Sequence, residues 1–195
     1  LIKNARNRGK AAALLRGFAY AQNFNVKGVI TLDADGQHDP NDIPKLIHAA
    51  ESHPDRLVLA ARVENRQDAP KHRLLANKIA DFVISWAANH RISDTQSGFR
   101  LYPEAVVSNC VQTAKRDHHF VFESNVLIEA AHKGFHSVAI PIKSHYPDNA
   151  RKSFYRPWKD TFAISKMVFI KIIKHRCCLL GFFRAFVKPF LIRTH

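Results

Sequence analysis

Acidic residues are scarce in this 195-residue chain. Asp and Glu number 16 against 30 Lys and Arg, a formal net charge of +14, with 12 histidines besides. That imbalance argues against cationic partners and favours anionic ones: nucleotide diphosphates, anionic lipid headgroups or nucleic acid. Cysteine is nearly absent. Cys110, Cys177 and Cys178 lack Cys-x-x-Cys spacing and adjacent cysteines rarely pair, so a reduced, cytosolic setting is the simplest expectation. No run of about 20 apolar residues occurs, so no segment is expected to span a bilayer. Internal repeats, low-complexity stretches and a signal-peptide pattern are missing too, and the opening at Leu1 leads us to expect a start inside a longer protein. What remains is ordinary for a globular protein, 46% hydrophobic and 24% charged, with room for one sizeable core and a small appendage.

The stretch Gly28 to Pro40 organises the rest. Val29, Ile30, Thr31 and Leu32 read as a buried strand of a parallel sheet. The strand breaks into Asp33-Ala34-Asp35-Gly36-Gln37-His38-Asp39-Pro40. Ligands of open α/β sheets collect at the carboxyl ends of strands. Two carboxylates placed there repel each other unless a cation neutralises them. Asp33, Asp35 and the Gln37 amide oxygen are hard ligands suited to Mg²⁺ or Mn²⁺ shared with a diphosphate. A solvated turn with chance acidic residues is the competing account.

Before this stretch, Asn7-Arg8-Gly9-Lys10 leads into a helix whose apolar face includes Leu14, Leu15 and Phe18; Lys10 is a phosphate contact or a solvated cap. After it, Asp39 and Pro40 open a helix to about Ser52, and Leu57–Ala61 forms a second buried strand ending at Arg62. Arg62 either forks onto a phosphate or forms a surface ion pair. Residues 63–70 read as a polar loop and Lys71 to Asn89 as a helix, whose basic start at Lys71 and Arg73 is unfavourable unless an anion binds there. Asp94, in a Ser/Thr/Gln-rich loop, is a capped turn or a base, and Gly98 permits close backbone approach. A helix near Pro103 to Thr113 precedes one starting about Phe120 with Glu123 at its mouth, facing the helix dipole or the site. Val138–Ile142 is a strand whose Pro141 argues for an edge position. From Trp158 onward, apolar side chains mix with Lys159, Lys166, Lys171, Lys174 and Arg176, which suits a helix lying on an anionic membrane or one packed on the core.

Taken together, Asn7–Leu14, the strand with Asp33–Pro40, Arg62 after the next strand, and Asp94-Thr95-Gln96-Ser97-Gly98-Phe99-Arg100 resemble family 2 inverting glycosyltransferases, nearest the polyprenyl-phosphate sugar synthases. The resemblance covers about Asn4 to Trp158 and implies a GT-A fold: an α/β, Rossmann-like three-layer sandwich over residues 1–155, with amphipathic basic helices over 156–195. Cysteine often stands where this chain has Ser97, and the family's first strand and nucleotide-base pocket are expected upstream of Leu1. It implies that Asp33, Asp35 and Gln37 hold Mg²⁺ or Mn²⁺, and that Lys10, Asp33, Arg62, Arg73, Arg151 and Ser153 contact donor or phosphate. Asp94, Asp35 and Arg100 are expected to carry the chemistry. The implied partners are a nucleotide-sugar donor with UDP or GDP, a lipid-phosphate or glycan acceptor, and an anionic membrane surface on its cytoplasmic face.

Two other classes fit parts of the sequence. An aspartyl-phosphate phosphohydrolase would use Asp33 as nucleophile and Asp35 as acid/base, but the later acidic pair that its Mg²⁺ needs is missing. A basic membrane-surface or nucleic-acid binding module explains the charge and leaves both acidic motifs unused, which disfavours nucleic acid as partner.

Overall fold

The computed structural model describes residues 2–4, 6–63, 71–113, 121–143, 157–175 and 179–192, with backbone alone at 71–73 and 157–161. In chain order the described elements are α1 (Lys10–Ala21), β1 (Gly28–Thr31), α2 (Ile43–Ser52), β2 (Leu57–Ala61), α3 (Lys71–Ala88), β3 (Arg100–Pro103), α4 (Glu104–Thr113), α5 (Val121–His132), β4 (Ser137–Pro141), α6 (Pro157–Lys174) and α7 (Leu179–Arg184). Asp39 Oδ1 accepts the Asn41 N–H at 2.8 Å and starts a 3₁₀ turn, Pro40–Asp42, that feeds α2 as expected.

The strands form one sheet in the order β1-β3-β2-β4. β2 and β4 are parallel, with Leu57 opposite Ser137 and Ala61 opposite Pro141. β3 runs antiparallel to both β1 and β2. This corrects the expectation for β1, whose apolar residues pair with an antiparallel neighbour and are only half-buried. Its pattern suits a covered strand of either direction, and the loop before Arg100 reverses the chain so that β3 returns between β1 and β2. Leu32 lies beyond β1 and is exposed. As Pro141 suggested, β4 is the outermost of the four strands, although residues 190–192 bond along part of its outer side.

Alternation along the strands divides the core between two faces. Leu57, Leu59 and Ala61 point into a cluster with Phe18, Ile84, Val106, Leu127 and Val168 from α1, α3, α4, α5 and α6. Val58, Ala60, Val138 and Ile140 point the other way, onto Leu46 and Ala49 of α2. Helices therefore cover both faces, the three-layer arrangement the sequence implied. The C-terminal segment joins this body: Val168 and Ala185 are buried, and residues 190–192 run beside β4, where the Ala139 N–H donates to Phe190 O at 3.0 Å and the Ile192 N–H to Ala139 O at 2.9 Å. Among the described residues, no helix is long and apolar enough to cross a membrane.

Candidate active site

The carboxyl ends of β1 and β2 open onto the start of α1, the 94–98 loop and the start of α5. Thr31 Oγ1, the last residue of β1, donates to Gly98 O at 2.8 Å and ties the loop to the strand that delivers Asp33. Contact here is close: a Cβ on Gly98 would lie 2.6 Å from Asp33 Cγ, and nearer still to Oδ2. Only glycine lets the loop and this carboxylate share the space. Lys10 reaches in from the first turn of α1. Its Nζ lies 2.7 Å from Asp33 Oδ1 and 2.8 Å from Glu123 Oε2 at the start of α5. Burial alone would lower the Lys10 pKa, but Glu123 and Asp33 outweigh it and raise it above its ordinary value, so the ammonium stays charged.

Asp35 Oδ1 accepts the Gln37 N–H at 3.0 Å, which folds the acidic turn back on itself. Arg62, directly after β2, makes a forked pair with Asp94: Nε to Oδ2 and Nη2 to Oδ1, both 2.8 Å, with the Arg62 N–H adding a 2.9 Å bond to Oδ2. The same guanidinium approaches Gln37 Oε1 at 3.5 Å, bringing both polar stretches within one arginine's reach. Asp94 has φ 48°, a left-handed backbone that Asp tolerates better than most residues, and its carbonyl closes a turn with the Ser97 N–H at 3.0 Å. Sequence reasoning left Arg62 open between phosphate and ion pair; the structure shows the ion pair, and with a partner inside the site.

Two buried charges hold the loop from behind. Asp81 of α3 accepts both the Thr95 N–H and Thr95 Oγ1–H at 2.8 Å. Arg100 is 1% exposed and donates to Ser97 O at 2.6 Å, Thr95 O at 2.8 Å and Glu123 O at 3.1 Å. Arg100, expected to carry the chemistry, therefore lies under the loop, bonded to its carbonyls and to the first turn of α5, rather than at the open face of the site. Asp81 was missed. Its signal was a lone carboxylate inside the apolar run Ile79–Ile84. His38 was also missed as a site residue: it is buried against Phe99 with Nδ1 lacking a hydrogen-bond partner, and burial, with Arg62 next, lowers its pKa. Arg151, Ser153 and the Arg73 side chain lie outside the described residues, as do 64–70, Cys177 and Cys178.

Among the described residues, no three His, Cys, Asp or Glu side chains converge into a protein-only metal cage. The donor set is nonetheless right for Mg²⁺ or Mn²⁺, which favour one or two carboxylates and complete their shell with substrate phosphates and water. Asp33, Asp35 and the Gln37 amide supply such oxygens on one short turn, and the Gly98 cradle leaves Asp33 room beside the loop.

The sequence model of glycosyl transferase family 2 matches residues 1–111, more than half of the chain. The chain belongs to this family. The phosphohydrolase alternative falls with that match. Among its relatives, an uncharacterized protein of Methanocaldococcus jannaschii is 30% identical over 180 residues, covering 89% of this chain and 75% of that protein. The UDP-N-acetylglucosamine–dolichyl-phosphate N-acetylglucosaminyltransferase of Methanococcus voltae is 26% identical over 150 residues, 75% of this chain and 59% of its own length. Polyprenol monophosphomannose synthase of Mycolicibacterium smegmatis is 27% identical over 139 residues, 69% of this chain and 51% of its own. The family 2 chain thus spans only part of the relatives whose reactions are named. The match includes Lys10, Asp33, Asp35, Gln37, Arg62 and Asp94, and ends in α4.

Proposed function

We propose that this chain carries the site of a metal-dependent inverting glycosyltransferase that moves a sugar from a nucleoside diphosphate onto the phosphate of a polyprenyl-type lipid. The named relatives support a lipid-phosphate acceptor. The observation that carries the reading is the state of Asp94. Both its oxygens are engaged by Arg62, through three hydrogen bonds. A carboxylate committed in this way is badly placed to take a proton from an acceptor hydroxyl. A phosphate acceptor is already anionic and has no proton to give up.

In the reaction, a phosphate oxygen of the lipid attacks the anomeric carbon from the face opposite the leaving group. The new C–O bond forms as the bond to the β-phosphate breaks, the configuration inverts, and the nucleoside diphosphate leaves with the electron pair. Asp33, Asp35 and Gln37 would hold Mg²⁺ or Mn²⁺, which would supply Lewis-acid stabilisation to the leaving diphosphate. Arg62 fixes Asp94 as an orienting group, and Lys10 adds positive charge on the donor side. Asp81 and Arg100 act through the loop as positioning residues.

The lipid acceptor places the enzyme at a membrane surface. Phe162, Phe169, Ile170 and Ile173 of α6 and Leu179, Leu180 and Phe183 of α7 are all at least half exposed, interspersed with Lys166, Lys174 and Arg184. Apolar anchors among basic residues suit an anionic lipid interface, and we place it on the cytoplasmic face, in keeping with the free thiol of Cys110.

The test is acceptor choice. The full-length protein is incubated with Mn²⁺ and labelled UDP- or GDP-sugars, offering a polyprenyl phosphate or the matching polyprenol. Product is expected from the phosphate alone, and Asp94→Asn should lose less than the roughly 100-fold or more that removal of a general base costs. Glycosylation of the polyprenol, with a larger loss in the variant, would sink the phosphate-acceptor reading.

A further inference from the structure

The first turn of α1 is a poor place for a cation, since the helix dipole presents partial positive charge there. Lys10 is held there by two carboxylates from different elements, Asp33 after β1 and Glu123 of α5. The Lys10 side chain is 33% exposed and Glu123 only 12%, so the pair closes one wall of the site. Lys10 occupies one of the two Asp33 oxygens open to a divalent cation, and its positive charge opposes a second cation on the other. The geometry points to Lys10 as a built-in competitor for the metal at Asp33, with Glu123 as the carboxylate that retains the ammonium once the metal takes Asp33. The inference rests on the metal-dependent reading above and adds to it two residues with opposite effects on metal affinity.

The chemistry is one of exchange. An ammonium has three donors, of which Asp33 and Glu123 use two. When Asp33 turns to a divalent ion, Lys10 keeps Glu123 and has two N–H groups left for a phosphate. Glu123 is itself fixed, because its carbonyl accepts from the buried Arg100 at 3.1 Å. Metal entry therefore costs the loss of one ion pair rather than the stranding of a half-buried cation. The population with Lys10 on Asp33 lowers apparent metal affinity by the fraction it occupies, as with any equilibrium between competent and incompetent states.

Mn²⁺ binding without donor reads this directly, by electron paramagnetic resonance of the free ion in titrations of the full-length protein. Lys10→Met should tighten Mn²⁺ binding by roughly threefold to tenfold, and Lys10→Arg, which keeps the charge, should stay near wild type. Glu123→Gln should weaken binding, because Lys10 then has Asp33 as its sole carboxylate. In the Lys10→Met background the Glu123→Gln change should alter affinity less than about twofold, since Glu123 acts through Lys10. Circular dichroism confirms that each variant folds. Equal weakening by Glu123→Gln in both backgrounds would make Glu123 a ligand and overturn the assignment. Unchanged or weaker binding in Lys10→Met would overturn it while leaving the metal site in place. No Mn²⁺ binding by any variant would remove the metal-dependent reading together with it.

Discussion

At the scale of single residues, the candidate site packs Lys10 between Asp33 and Glu123 and Arg62 onto Asp94 in close contact, and Gly98 is where that closeness can be tested. Gly98→Ala puts a methyl group where the Asp33 carboxylate sits. A short side chain can swing away at modest energetic cost, so the fold should survive while the metal-binding orientation does not. Calorimetric titration should show Mn²⁺-dependent nucleotide binding weakened by roughly tenfold or more, with thermal unfolding still cooperative. Unaltered binding would mean that Asp33 is not a ligand. The sequence made Asp33, Asp35, Gln37, Arg62 and Asp94 legible as candidates only through their combined order and its family resemblance, since each alone also had a bland account as a solvated turn, an ion pair or a capped turn. It did not make legible that Arg62 and Asp94 hold each other, since the pairing joins residues 32 positions apart across the sheet edge. Arg100 misled for a related reason. A charged residue beside a polar loop reads as exposed, and only the fold shows that its donors are consumed by the loop's carbonyls.

At the scale of elements, apolar runs marked β2, β4 and most helices, but β3 left no such mark. Arg100-Leu101-Tyr102-Pro103 carries a charge and a proline at its ends, and its strand state comes from lying between β1 and β2. The direction of β1 was lost with it. Another join hidden from the sequence links the end of α3 to β4 through His90. The Ser137 N–H donates to His90 Nε2 at 3.1 Å, which makes that nitrogen an acceptor and leaves the ring proton on Nδ1, 3.3 Å from Ala88 O. Burial, with the neighbouring His136, Arg56 and His132 acting the same way, pulls the His90 pKa down to about 4. Its folded value lies below its ordinary 6.5, so the stability it contributes is present above that value and is lost as the pH falls through the window down to about 4. Between about pH 7 and about pH 5 this single group should remove about 2 kcal/mol, measured by urea unfolding. His90→Gln, whose amide oxygen can accept from Ser137 without titrating, should flatten that part of the pH profile. An equal slope in both proteins would assign the acid sensitivity to His38, His136 and His175, whose pKa values burial also lowers.

At the scale of the whole molecule, exposed apolar side chains gather on the C-terminal helices, where basic residues lie among them. The sequence left these helices open between a membrane surface and core packing, and the structure gives them both an inner and an outer face. Towards α3, Phe182 and the largely exposed Phe186 meet Phe82 at 5.5 and 5.0 Å between ring centroids, and Phe182 meets Trp86 at 5.3 Å, which fixes α7 and the turn after it to α3. Lys171 and His175 bond to Glu129 of α5; burial alone would raise that carboxyl, but these bonds outweigh it and bring it to about 2, which anchors the end of α6 by charge. Outside, Phe169 is 65% and Leu180 60% exposed, among basic residues each contributing about 1 kcal/mol near an anionic lipid surface. A surface of this kind binds through two separable forces, and each has its own signature. Co-sedimentation with vesicles containing phosphatidylglycerol should be strong at low salt, and should weaken but persist at high salt, because screening removes the charge term and leaves apolar insertion. Phe169→Glu with Leu180→Glu replaces anchors that lie on the outer face, so folding should be retained while the salt-resistant fraction disappears. Binding that is abolished by salt in the unaltered protein would mean that the helices touch lipid by charge alone. If vesicles do not bind the protein at any salt, the outer face is not a membrane surface, and the proposed lipid acceptor must be reached in another way.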